Sequence, residues 1–464
     1  MGNEGYSAQS AAGWEDRPKT GDRLISLSVP APHIAPLPFL RQSRGGERIY
    51  WADPATRSTW VGRGVAASLT AWGAGRFDSI AAQARHLFDG AWIESADSPA
   101  APRLFGGFAF RDDFVPDNTW ADFPAAWFVL PHWQLSHTPN GNALTLNVIA
   151  PPDEDPARLA DGLRTLLRDL LADWDGREPA DRPNPVTELR YPMSRPAWGE
   201  MIDRATAAIR AGELEKVVLS RVCELRFERQ VEADRVLDHL DAIYNSSWRF
   251  LFEPQPFHAF LGATPELLVQ VDGPHITTMA MAGSAPRGNS VAEDLELGNG
   301  LLHSDKNRHE HQIVVDEMVA RLAPFSPDLT WPETPHLRKL HNIQHLCTPI
   351  AGQMPESADL LTVAELLHPT PALGGAPRDA ALAWISAAET VPRGWYAAPI
   401  GMLDSRLQGT FAVAIRSAVT QLRRVWLHAG CGIVAGSDAQ AEWDETELKF
   451  RPMLDGFAPN RPQA

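Results

Sequence analysis

The stretch AGCGIVAGSDAQAEWDETELK, residues 429–449, gathers Glu442, Asp444, Glu445, Glu447 and Lys449 just behind two spaced glycines, Gly430 and Gly432. On a helix, Glu442, Glu445 and Lys449 fall at i, i+3 and i+7 and share one side. The glycines ahead of them offer backbone that a ligand can approach closely. A second acidic position, Glu310, lies in KNRHEHQIVVDEM, residues 306–318. The zinc-protease pattern HExxH is not met there, because Ile313 stands where the second histidine is required. Carboxylates from two helices would suit a hard cation with oxygen ligands. On spacing alone the plain reading prevails: a Gly-rich turn, then a helix whose carboxylates are solvated or paired.

The elements that must carry these residues read as a mixture of strands and helices. LFGGFAFR (104–111) reads as a tight Gly turn feeding a strand, and WFVLP and ALTLNVIAP extend a strand-rich first half. ARLADGLRTLLRDLLADW (157–174) predicts a helix whose leucines cover a sheet, and DGREPADRPNPVTE (175–188) predicts a linker between lobes or a long surface loop. WGEMIDRATAAIRAGELE predicts a helix stopping at Gly212, followed by the strand KVVLSRVCEL. HAFLGATPELLVQV predicts two strands about an Ala-Thr-Pro corner. A helix is predicted over Lys306–Leu322, strand pairs in TFAVAIRSAV and RRVWLHAGCGIV, and a terminal helix after Gly436. Hairpin-like pairs with long connecting helices favour an α+β fold over a doubly wound one.

Bulk properties narrow the function classes. A chain of 464 residues with 44% apolar residues can bury a substantial core. Its formal net charge of −16 argues against a nucleic-acid surface, though one pocket can still carry its own cation for an anionic metabolite. No apolar run is long enough for a membrane span, and the polar start does not read as a secretory signal. Three cysteines without metal-site spacing suggest reduced thiols in a cytoplasmic protein. Residues 1–22 are expected to be disordered and 457–464 to form a flexible tail. The segment 23–185 is expected to form the first part of the α+β domain, and 198–456 its core.

Seven blocks occur in order: EKVVLSR (215–221), FLGATPELL (260–268), AGSAPRG (282–288), KNRHEHQIVVDEM (306–318), HPTPALGGAP (368–377), RGWYAAPIGMLD (393–404) and AGCGIVAGSDAQAEWDETELK (429–449). Together they resemble the chorismate-utilising enzymes, which include isochorismate, salicylate, anthranilate and aminodeoxychorismate synthases. The resemblance implies one large chorismate-binding domain of layered β-sheets flanked by helices. It also implies that Glu310 and Glu445 hold Mg²⁺, with Glu442 close by. His368, Tyr396, Arg416, Gly430, Gly432 and Lys449 would line the substrate pocket, as would Gly283, Ser284 and Ala372. Tyr396 and Arg416 would contact a substrate carboxylate, and the amides around Gly430 and Gly432 would meet the same end. Chorismate carries two carboxylates, so cations at both ends are a physical necessity. Ser284 replaces a more usual Thr, and Asn307 an acidic residue of some relatives.

Within that resemblance Lys216 and Glu266 correspond to the base and the acid of isochorismate formation, in which water adds at ring C2 and the C4 hydroxyl leaves. A lysine is a base only when neutral, and a glutamate an acid only when protonated. Ala282 occupies the position of the nucleophilic lysine in one branch of the family, which removes that covalent route. Ala372 stands where anthranilate and salicylate synthases commonly carry Thr. The expected activity is therefore an isochorismate synthase that stops before pyruvate elimination, with a salicylate synthase next. The HPTPALGG and RGWYAAPIG blocks lean towards menaquinone-pathway enzymes over siderophore ones. A non-catalytic chorismate-binding protein is disfavoured because Lys216, Glu266, Glu310 and Glu445 are all retained. No obligatory glutaminase subunit is expected, and the chain is expected to be a monomer or weak dimer.

Overall fold

Alternation of apolar side chains along its strands divides this protein into two cores. Ile49 and Trp51 face one core while Tyr50 and Ala52 face the other; Phe250 and Phe252 are likewise set against Leu251. Strands apolar on both faces must be covered on both sides, and a layered arrangement results. The computed structural model describes residues 21–179 and 183–459. Positions 1–20 of the expected disordered start, 180–182 of the expected linker and 460–464 of the expected tail lie outside the described residues. The tail segment begins inside structure, since the terminal helix Ala439–Phe457 reaches Phe457, whose ring packs 6.2 Å from Phe227.

The architecture is α+β, with the strands joined through one hydrogen-bonded network that is almost wholly antiparallel. The two halves of the chain are interlaced. Arg48–Asp53 pairs with Trp248–Gln255, and Leu104–Phe108 pairs with Pro399–Leu403. The linker-like segment ends in a strand, Val186–Arg190, paired with Lys216–Phe227. A boundary between separate lobes at that point is therefore not what the pairing describes.

The LFGG motif corrects an expectation. Gly106 and Gly107 lie inside the strand Leu104–Phe108, not in a turn. A Cβ on Gly106 would collide with the Trp127 carbonyl, and one on Gly107 would meet the Pro399 carbonyl oxygen at 2.7 Å. Close strand approach, and not chain reversal, demands glycine here.

Helix ends follow local chemistry. Ser304 Oγ accepts from the Asn307 N–H and starts the helix Asp305–Leu322. Asp438 accepts from the Gln440 and Ala441 N–H groups and starts the terminal helix. Helix Pro156–Ala172 buries Leu167 in the core that also holds Leu27 and Leu146, as a sheet-covering helix should.

Candidate active site

Two tight corners face each other. The strands His258–Thr264 and Leu267–Asp272 are joined through Pro265 and Glu266, while Gly409–Val413 and Ser417–Gln421 are joined through Ala414, Ile415 and Arg416. Each strand of one pair is hydrogen-bonded to a strand of the other. The Ala263 N–H donates to the Arg416 carbonyl at 3.1 Å, and the Val413 N–H to the Glu266 carbonyl at 3.0 Å. This lacing delivers Glu266 and Arg416 to the same cleft. Arg416 sits in a corner at φ +52°, so it is not a residue on a regular strand.

The cleft, counted with the solvent-open space at its mouth, spans about 580 Å³. Among the residues expected in the site, Glu266, Gly283, Ser284, Glu310, Ala372, Tyr396, Arg416, Gly430, Gly432, Glu445 and Lys449 all line it. Gly430 and Gly432 lie on the strand Arg424–Ile433, two residues apart, so both present one face to the cleft and no Gly turn is involved. A Cβ on Gly432 would collide with Glu310 Oε1 and meet Lys216 Cε at 2.7 Å. That glycine is the reason these two side chains can reach the floor. Gly283, at φ +76°, marks a register shift between Ala282 and Ser284, a bulge that re-aims Ser284.

Lys216 is fully buried beneath the floor, its Nζ 3.0 Å from Glu310 Oε1. Two further glutamates each carry a lysine: Lys306 Nζ donates to Glu442 at 2.7 Å, and Lys449 Nζ lies 2.5 Å from Glu445 and donates to the Gly430 carbonyl at 2.9 Å. Burial and the neighbouring Glu445 push the Glu442 carboxyl up. Burial alone would raise Glu445 too, but the Lys449 ammonium outweighs it and holds that carboxylate below its usual range. Burial also drives Glu266 up to about 8, against the opposing pull of Lys216, Lys449 and Arg416. It is a protonated carboxyl at neutral pH.

Two expected site residues do not line the cleft: Lys216, beneath its floor, and His368. His368 follows the helix Leu360–Leu367 and points into the core, where its Nε2–H donates to the Phe110 carbonyl at 3.0 Å. Burial keeps it neutral. Ala372, four residues on, reaches the cleft; His368 does not. Two histidines that sequence reasoning missed line the cleft, His345 and His428. Arg416 Nη2 lies 3.0 Å from His345 Nε2, and since a guanidinium can only donate, Nε2 accepts. The ring proton is then on Nδ1, between Ser284 Oγ at 3.0 Å and the Gly283 carbonyl at 3.2 Å. The available signal was register: His345 pairs directly with Ser284 across the strands.

The cleft is thus polarised. At one end a buried guanidinium has a neutral histidine as its hydrogen-bond partner and, among the described residues, no carboxylate. At the other end Glu310 and Glu445 present oxygen donors. Among the described residues no three His, Cys, Asp or Glu side chains form a complete ion cage. A pair of carboxylates nonetheless fits a hard divalent cation that completes its shell with water and a ligand carboxylate.

A profile described as chorismate binding enzyme matches residues 9–458. The chain belongs to this family. Among its relatives, isochorismate synthase MenF of Bacillus subtilis is 34% identical, over 94% of each chain. The salicylate biosynthesis isochorismate synthase of Pseudomonas aeruginosa is 35% identical over 88% of this chain and 84% of its own. The solved menaquinone-specific isochorismate synthase MenF of Escherichia coli superposes with a TM-score of 0.78 at 26% identity, covering 94% of both chains. Anthranilate synthase component I of Streptococcus pneumoniae shares the fold, with a TM-score of 0.63 at 22% identity. The family therefore accounts for the fold and for a cleft built to receive chorismate. Among the described residues no helix is long and apolar enough to cross a membrane.

Proposed function

We propose that this chorismate-binding enzyme is an Mg²⁺-dependent isochorismate synthase acting in cytoplasmic menaquinone biosynthesis. The observation that carries the reading is Glu266, a buried carboxyl that keeps its proton up to about pH 8, in one cleft with Lys216 nearby. Chorismate's two carboxylates match the two ends of the cleft. Arg416 takes one by charge-assisted hydrogen bonds, supported by the Tyr396 hydroxyl and the amide floor at Gly430 and Gly432. Mg²⁺ held by Glu310 and Glu445 would supply the positive charge for the ring carboxylate.

The chain's own residues then divide the proton work. Lys216 in its neutral form takes a proton from the water whose oxygen bonds to ring C2. The ring double bonds shift, the C4–O bond breaks, and Glu266 gives its proton to the departing hydroxyl, which leaves as water. One water enters and one leaves, so isochorismate is an isomer of chorismate. Because water and not ammonia is the nucleophile, no glutaminase partner is required.

Ala372 in the cleft wall carries no hydroxyl, and Ala282 offers no nucleophile, which supports a reaction that stops at isochorismate rather than proceeding to salicylate. The menaquinone assignment rests on the end-to-end similarity to the two MenF proteins; a siderophore-pathway synthase would use the same cleft chemistry. Incubation with chorismate and Mg²⁺ should yield isochorismate with little pyruvate. Stoichiometric pyruvate and salicylate would move the enzyme to the salicylate synthases.

A further inference from the structure

His428 lies two residues before Gly430 and four before Gly432 on the strand Arg424–Ile433, and all three line the cleft. Where the two glycines leave the floor bare, His428 raises an aromatic wall. Its ring is stacked on Tyr396, with centroids 5.0 Å apart and planes 22° from parallel. Trp120 stands near it, 6.0 Å away and tilted by 43°. All three rings are buried, and the outer one, Trp120, is packed against Gly394 and Phe260.

This stack ends where the cleft needs a donor. The Tyr396 hydroxyl lies 3.2 Å from the place a Cβ on Gly430 would take, so it overhangs the bare backbone at that glycine. Arg416, with no carboxylate of its own among the described residues, lines the same cleft. Tyrosine has two soft torsions, and an unsupported phenol could swing away from the floor. A flat neighbour at stacking distance removes that freedom.

We propose that His428 is a positioning residue for the anion end of the cleft: by stacking on Tyr396 it holds the phenol O–H over the Gly430 floor, where Tyr396 and Arg416 together donate to one ligand carboxylate. The inference rests on the dicarboxylate reading given under Proposed function. Burial, with Arg393 nearby, keeps the imidazole neutral down to about pH 3. His428 therefore acts by shape and adds no second cation beside Arg416.

The test compares His428→Leu, which fills the space without a flat face, with His428→Phe, which restores the face without the nitrogens. Chorismate binding is measured by calorimetry with Mg²⁺ present, alongside KM, kcat and melting temperature. Loss of one well-placed hydrogen bond to a charged group corresponds to about 10–100-fold in affinity. His428→Leu should weaken binding and raise KM by that amount, with kcat within about threefold, and His428→Phe should return most of the loss. Adding Tyr396→Phe to His428→Leu should cost little more, because the hydroxyl is already misplaced. Parent-like binding by His428→Leu would overturn the inference, as would a His428→Phe as impaired as His428→Leu. These titrations read binding, so they decide the role of His428 whether or not the parent makes isochorismate. A parent that bound no chorismate would overturn both readings.

Discussion

The Lys216 ammonium lies 3.0 Å from Glu310 Oε1, and both side chains are buried. The proposed base is thus ion-paired with a proposed cation ligand. A lysine accepts a proton only in its neutral form, so the base role asks that this contact be loosened during turnover. Glu310 engaged by a divalent cation has less charge to offer Lys216, so metal loading and base function should be coupled through this one contact.

Removal of divalent cations by a chelator should abolish turnover, and Mg²⁺ should restore it. Glu310→Gln and Glu445→Gln should each weaken Mg²⁺ binding by calorimetry. Full activity in protein shown to be metal-free by elemental analysis would remove the metal from the account.

Gly432→Ala offers a sharper probe of the same region. Its new methyl group would strike Glu310 Oε1 and meet Lys216 Cε at 2.7 Å. Mg²⁺ affinity and kcat should both fall at least tenfold, or by about 1.4 kcal/mol each. Parent-like values for both would mean that the floor does not position these two side chains.

Glu266 should shape the pH response in two ways. As the acid it must be protonated, so activity should fall as pH rises through about 8. Glu266→Gln should lower kcat by ~10²–10⁴-fold with a much smaller change in KM. Stability should respond too. The folded carboxyl holds its proton up to about 8 whereas an unfolded one releases it near 4.5, so folding takes up a proton between those values and stability falls as pH rises across that window. Glu266→Gln should flatten that decline in melting temperature; an unchanged slope would contradict the buried protonated carboxyl.

The sequence exposed some of these relationships and hid others for physical reasons. Lys216, Glu266, Glu310 and Glu445 stand in ordered blocks, and the fold brings them to one region. His345 was not legible, because its place opposite Ser284 is a matter of strand register across 61 residues. His368 misled for the opposite reason. It opens a block whose Ala372 lines the cleft, yet the turn after the helix Leu360–Leu367 sends its ring to Phe110. The glycines of LFGG read as a turn because close approach of a neighbouring strand leaves no trace in local sequence. Arg416 read as a strand residue since nothing nearby announces its positive φ.

The pairing of His345 with Arg416 predicts that His345→Ala should raise KM for chorismate about tenfold, as the guanidinium loses the acceptor that orients it. Arg416→Lys should cost more, because an ammonium cannot reproduce the fork. Steady-state kinetics on both variants checks the ranking; a more damaging His345→Ala would reverse the roles assigned to the pair.

The most direct measurement of the central claim is turnover of chorismate with Mg²⁺ in ¹⁸O-labelled water, with products separated and analysed by mass spectrometry and NMR. Addition of water at C2 with loss of the C4 hydroxyl predicts isochorismate carrying one solvent oxygen, located at C2, and little pyruvate. Unlabelled isochorismate, or pyruvate released in proportion to chorismate consumed, would contradict the mechanism assigned to Lys216 and Glu266.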